Sequence, residues 1–201
     1  MNNCYLDAEA VITFFRITGR KHIFITGSRG SGKSYLVNNM LKHMSDSFNL
    51  LQSHRTDTPQ VVIKSNLVAD NKEFVIGLPR TSGINPASKG NNMTIIEDGF
   101  INCAIPAIDT HLDTTPERLF VIDELGYLES SCIPFQKAVE KLLDNSHVLA
   151  VIRKQSTEFL NRICNRRDVL VIDIDSTFET LSCIIMASGM STVSYTHLRA
   201  H

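Results

Sequence analysis

The chain has 201 residues, of which 43% are hydrophobic and 20% charged. These values suit one ordinary α/β domain and exclude a wholly disordered or fibrous chain. Its 20 Lys+Arg against 21 Asp+Glu leave a formal net charge of -1, which excludes a dominant basic footprint for nucleic acid or an anionic membrane; a local basic patch stays open.

No apolar run reaches the roughly 18 residues that span a bilayer. The first residues lack the charged, apolar and small-residue order of a secretory signal, Val11 to Phe15 being too short a run. The five cysteines (Cys4, Cys103, Cys132, Cys164, Cys183) show no CxxC spacing. Neither a zinc site nor a disulfide framework is therefore expected, and buried thiols in a reducing cytoplasm are.

Residues 1–20 form an extension, with Leu6, Ala10, Val11, Phe14 and Phe15 at helical spacing. His22 to Thr26 reads as a buried strand. A glycine-rich turn follows, then a helix from Lys33 to Met44 with Leu36, Val37, Met40 and Leu41 on one face. Residues 45–58 are polar and read as a loop. Val61 to Val68 and Glu73 to Leu78 read as a β-hairpin. Pro79 to Asn92 is a loop by its Pro, Gly, Ser and Asn content, and Met93 to Ile96 a short strand.

Phe100 to Leu112 has helical spacing, with Pro106 expected to kink or shorten it. From Leu119 onward strands and helices alternate. Strands are expected at 119–122, 148–152 and 169–174, and helices at 135–143, 156–163 and 177–186. Such alternation argues for a parallel sheet with helical crossovers. The domain therefore spans 21–187. Residues 188–201 lose the pattern and read as a disordered tail or one not native to the domain.

Gly27-Ser28-Arg29-Gly30-Ser31-Gly32-Lys33-Ser34 fits G-x-x-x-x-G-K-S/T. A loop wrapped round a phosphate must turn consecutive N–H groups inward, and glycines permit the dihedrals and the close approach. The following helix adds its positive N-terminus. Lys33 would reach the β- and γ-phosphates, and Ser34 would present its hydroxyl to Mg²⁺. A strand before the loop and a helix after it are the context this motif needs.

Leu119-Phe120-Val121-Ile122-Asp123-Glu124 is an apolar strand ending in acid. If it neighbours the first strand in a parallel sheet, its carboxylates stand beside the loop. Asp123 would hold Mg²⁺, through water. Glu124, on the other side of the strand, would orient or deprotonate the water that attacks the γ-phosphate. Arg29 either contacts phosphate or faces water, and Arg153 and Lys154 read as a phosphate clamp or a solvated pair. Tyr127 and Phe100 are open to base stacking or core packing.

These stretches (GSRGSGKS, VIDELGYLE, VLAVIRK and NRRDVLVIDID) resemble the small thermophile-type nucleoside-triphosphatases. Members typically carry a VIDEIG-x-ME signature, close to Val121–Glu129. The resemblance covers residues 21 to about 175. It implies a P-loop NTPase three-layer fold, RecA/AAA+-like, with a mostly parallel sheet and an inserted β-hairpin. It also implies slow Mg²⁺-dependent hydrolysis of ATP, GTP and other nucleoside triphosphates to diphosphate and phosphate. By motif matching Gly30, Gly32, Lys33 and Ser34 bind phosphate and metal, while Asp123 and Glu124 take the metal and water roles. Glu129 matches a second family acid, with helix capping an equal alternative. Arg166 matches a family basic residue that would neutralise transition-state charge, or it is an exposed helix-end arginine. The family's G-F-Y/F-T-x-E-x-R stretch is absent near Gln52–Lys64, and Tyr127 stands where Lys or Pro is commoner.

Two other functions fit the same motif. A small-molecule or nucleoside kinase would need an acceptor pocket and usually an arginine-rich lid, for which 79–92 offers only Arg80 and Lys89. A nucleotide-dependent switch would bind tightly and turn over slowly.

Overall fold

Which faces of the sheet are covered follows from which residues alternate and which do not. In β1 (His22–Gly27), Ile23 and Ile25 face one side of the sheet and Phe24 the other, and all three are buried. In β6 (Leu119–Leu125) and β7 (His147–Arg153) the same split recurs, Val121, Leu149 and Val151 opposing Phe120, Ile122, Val148, Ala150 and Ile152. Strands apolar on both faces must be covered on both, which gives a three-layer α/β arrangement. This computed structural model describes residues 7–44, 47–80 and 93–175.

Among those residues there is one eight-stranded sheet, ordered β5-β4-β3-β2-β6-β7-β1-β8. Its remaining strands are β2 (Phe48–Arg55), β3 (Val61–Ser65), β4 (Phe74–Pro79), β5 (Met93–Ile95) and β8 (Val169–Asp173). β2, β6, β7, β1 and β8 pair in parallel, and β3, β4 and β5 extend the edge in antiparallel fashion. The expected parallel core and the antiparallel β3–β4 pair are present.

α1 (Ala8–Thr18) and α2 (Lys33–Met44) cover one face. α1 starts at Asp7, whose side chain accepts the Glu9 N–H, and ends at Gly19 in the left-handed region; that pairing of cap types fixes both ends. α4 (Ile105–Thr114), α5 (Ile133–Asn145) and α6 (Glu158–Cys164) cover the other. Thr157 caps α6 by accepting the Leu160 N–H at 3.1 Å.

One expectation is corrected. Residues 45–58 are not all loop, because Phe48–Arg55 forms β2, a central strand. Asn49 hid it: a polar residue at a position that is 3% exposed. Its amide reaches His111 Nδ1 at 2.8 Å and Thr115 Oγ1 at 2.7 Å, so it is satisfied inside the core. The expected hairpin β3–β4 is joined by β5, the short strand expected at 93–96, as a third antiparallel strand. Pro106 shortens the expected α-helix, which begins only at Ile105. A π turn at Phe100–Ala104 precedes it, following the short α3 (Glu97–Gly99), and α4 restarts with the proline in its first turn, where its missing N–H costs little. The helix at 177–186 and the tail at 188–201 lie outside the described residues.

Buried His22 makes stability depend on pH. It is fully buried, and among the described residues neither ring nitrogen makes a hydrogen bond. Burial lowers its pKa from 6.5 to about 4, although Asp168 at 3.4 Å pulls the other way. The unfolded chain thus takes up this proton first. The contribution is complete above pH 6.5 and is lost as pH falls towards 4, by up to about 3 kcal/mol. Burial lowers the pKa of His111 in the same direction. Asp168, held down to about 2 by Arg166, stays ionised throughout that window. Urea unfolding at pH 7.5 and 5 should therefore show a larger loss for the parent than for His22→Leu; equal losses would assign the pH dependence elsewhere.

Candidate functional site: a basic cavity around the phosphate loop

The glycine-rich segment joins β1 to α2, at the carboxyl end of the parallel strands. Gly30 and Gly32 hold φ of 77° and 92°, which residues with a Cβ seldom adopt. Lys33 Nζ folds across the loop and donates to the Gly27 and Ser28 carbonyls at 2.8 Å each. Ser28 donates its N–H (2.8 Å) and hydroxyl (2.7 Å) to Asp175, which also accepts from Lys154 at 3.1 Å. Those bonds hold the Asp175 carboxyl below its usual pKa, the Ser28 bonds most strongly, and they tie the end of β8 to the loop.

A cavity of about 800 Å³ opens over the loop, lined by Gly27 to Tyr35 together with Arg55, Glu124, Arg153, Lys154 and Gln155. All eight motif residues thus share one site, Lys33 and Ser34 being the first two residues of α2. Five cationic side chains (Arg29, Lys33, Arg55, Arg153, Lys154) against one carboxylate make it a strongly basic spot on a chain of net charge -1. A polyanion fits that field.

β6 is not next to β1, because β7 lies between them. The condition of adjacency set by the sequence fails; Glu124 nevertheless lines the cavity over the loop, whereas Asp123 is not among its lining residues. Asp123 lies on the same face as Val121 by alternation. Burial raises its pKa, a Gln52 bond at 3.4 Å opposes this, and the nearby Glu124 and Lys33 charges push up and down respectively. The β6–β7 register shifts at Glu124, pairing Asp123 with Val151 and then Leu125 with Ile152. Such a bulge re-aims a side chain, and here Glu124 lines the cavity and pairs with Arg153 Nε at 2.5 Å.

Glu129 is 5% exposed and accepts the Gly126 N–H at 2.9 Å and the Ser53 hydroxyl at 3.2 Å. That bond braces the turn ahead of the short 3-10 helix Glu129–Ser131, whose N-cap, Leu128, has no side-chain cap bond, so the contacts of Glu129 are those of a turn brace and not of a helix cap. Burial raises its pKa. Phe100 is fully buried in the core, and Tyr127 lines a smaller adjoining cavity of about 70 Å³.

Arg166 is not brought to the site. It binds Asp168 through Nε (3.0 Å) and Nη2 (2.8 Å) and Asp144 through Nη1 (2.9 Å). Asp168 precedes β8, and its carbonyl accepts from Lys21 and His22 at the start of β1. That is the amino end of the strands, about 17 Å of strand away from the loop. Arg166 is an ion-paired strap between the α5 end and β8. Arg166→Gln should lower stability by about 1 kcal/mol, since its partners are partly exposed, and leave nucleotide turnover within about twofold. A loss of turnover without a loss of stability would restore it to the site.

Arg55 and Tyr35, both cavity-lining, were not singled out from sequence. Arg55 sat in the segment read as loop. Tyr35 directly follows the motif serine, and that adjacency is the signal that could have found it.

The fold and the loop-centred cavity define a P-loop nucleoside-triphosphatase-type α/β enzyme. More narrowly, the chain belongs to the NTPase family, whose model matches residues 22–179. It is 26% identical over 155 residues to a nucleoside-triphosphatase THEP1 from Thermotoga sp. (strain RQ2), covering 76% of this chain and 86% of that one. The THEP1 of Thermotoga maritima is 24% identical over 154 residues, with 76% and 86% covered. Among solved structures, THEP1 from Aquifex aeolicus superposes with a TM-score of 0.61 at 17% identity, covering 83% of this chain and 98% of that one. A human cancer-related nucleoside triphosphatase superposes with a TM-score of 0.57 at 19% identity, covering 85% and 98%. Those two establish the shared fold.

Among the described residues no helix is long and apolar enough to cross a membrane. Cys103 and Cys132 are buried and Cys164 partly so, all as free thiols. Cys4 and Cys183 lie outside the described residues.

Proposed function

We propose that the chain hydrolyses nucleoside 5'-triphosphates to diphosphate and phosphate, with Mg²⁺ and without strong choice of base. The observation carrying this is that Glu124 faces the same basic cavity as the phosphate loop. The N–H groups of the loop and the α2 N-terminus would bind the β- and γ-phosphates. Lys33 would exchange its two carbonyl bonds for phosphate oxygens, a gain because the new acceptors are charged.

The residues present fit Mg²⁺. Ser34, in the cavity lining, and Asp123, near enough to Lys33 for the two charges to interact, offer hard oxygen donors. Mg²⁺ is usually held by one or two side chains, with phosphate and water filling the rest. Bound there, it would supply neutralisation of charge on the phosphates. Glu124 would hold the attacking water and accept its proton, while Arg153 sets the direction of its carboxylate. Arg29, Arg55 and Lys154 add positive potential around the transferred group. The free thiols fit a reducing, cytoplasmic setting.

Turnover in ¹⁸O-labelled water separates hydrolysis from transfer to a bound acceptor. Hydrolysis puts one labelled oxygen into the released phosphate. γ-Phosphate found on an added nucleoside, with no free phosphate released, would replace this reading with a kinase.

A further inference from the structure

Glu124 occupies a break in the sheet. The β6–β7 ladder steps past it, and the β2–β6 ladder ends at Gln52–Asp123. The regular register thus breaks at this residue towards both neighbouring strands, and a part-buried peptide at such a break calls for further polar partners. Ser53, one residue beyond the end of the β2–β6 ladder, takes over. Its Oγ accepts the Glu124 N–H at 3.5 Å and lies 3.3 Å from the Glu124 carbonyl, to which it can donate. The same hydroxyl lies 3.2 Å from Glu129 Oε1, its second acceptor. Glu129 is buried and is itself anchored by the Gly126 N–H at 2.9 Å.

The single hydroxyl hydrogen is thus shared between two acceptors, while the oxygen receives the Glu124 N–H. The chain of bonds runs from Gly126 through Glu129 and Ser53 to the backbone of Glu124. At the other end of the residue, Arg153 holds the carboxylate. Backbone and side chain are fixed from two different strands, β2 and β7.

We propose that Ser53, backed by Glu129, is a positioning residue that sets the aim of Glu124 into the phosphate cavity. The proposal rests on the hydrolytic reading above for its effect on rate, but the clip itself is a property of the backbone. Ser53 touches no phosphate-binding group, so it acts through Glu124 alone. Its removal should slow the chemical step and spare nucleotide binding, because a small misplacement of a reacting group costs rate steeply.

The test uses the full chain and the variants Ser53→Ala and Ser53→Thr, with two readouts. One is steady-state phosphate release from ATP with Mg²⁺. The other is amide hydrogen exchange at Glu124, which needs no activity. In Ser53→Ala, kcat should fall about tenfold with KM within about twofold, and the Glu124 amide should exchange about tenfold faster while β1 and β7 keep their protection. Ser53→Thr keeps the hydroxyl and should recover kcat to within about threefold of the parent. Unchanged exchange in Ser53→Ala would overturn the clip. Faster exchange with unchanged kcat would overturn the positioning role. A parent chain that releases no phosphate, but shows the exchange change, would overturn the hydrolytic reading and leave the clip standing.

Discussion

Replacing Lys33 by Ala should weaken triphosphate binding about 100-fold and lower kcat/KM by about a thousandfold or more. The ammonium sits across the loop, 2.8 Å from two of its own carbonyls. In the bound form it would meet two phosphates instead. Hydrogen bonds between charged groups contribute about 1.5–3 kcal/mol each, and tenfold in affinity is about 1.4 kcal/mol. Two such bonds account for the loss in binding. The further loss in rate arises because charge on the γ-phosphate's surroundings develops in the transition state, where one removed donor costs about 10²–10³. Calorimetric titration with a non-hydrolysable triphosphate, beside steady-state kinetics, measures both parts. Parent-like affinity would remove Lys33 from the phosphate site.

Glu124→Gln should separate binding from chemistry. The amide keeps the size and a bond to Arg153 but cannot accept a proton from water. Turnover should fall about 10²- to 10⁴-fold, the range for a lost general base, equivalent to about 3–5 kcal/mol in the barrier. Binding should stay within about threefold, because Glu124 faces the water side and its neutralisation reduces repulsion of the triphosphate. Parent-like hydrolysis would mean another group activates the water. Asp123, one residue earlier and more buried, would then be the next candidate.

How much of this was readable in the sequence depends on the residue. The phosphate loop was legible because its chemistry is local: glycines, lysine and serine at fixed spacing between a strand and a helix. β6 and β7 were legible because strands buried on both faces are apolar throughout. β2 was not. Its buried Asn49 is satisfied by His111 and Thr115, more than sixty positions away, and no local pattern reports such partners. The same blindness hid Arg55 and Ser53, which lie on that strand. Arg166 failed for a related reason. A basic residue before a strand gives its identity but not which end of the sheet it faces, and here Asp168 and Asp144 hold it at the end away from the loop. The adjacency expected of β1 and β6 failed because strand order is a property of crossovers, which sequence spacing leaves open.

The central claim is that this basic cavity hydrolyses nucleoside triphosphates. The most direct test is phosphate release from ATP, GTP, CTP and UTP with Mg²⁺, comparing the full chain with Glu124→Gln. All four should release phosphate, with rates within about tenfold of one another, and the variant should lose release from each. Binding without release from any of the four would contradict it and point instead to a nucleotide-dependent switch.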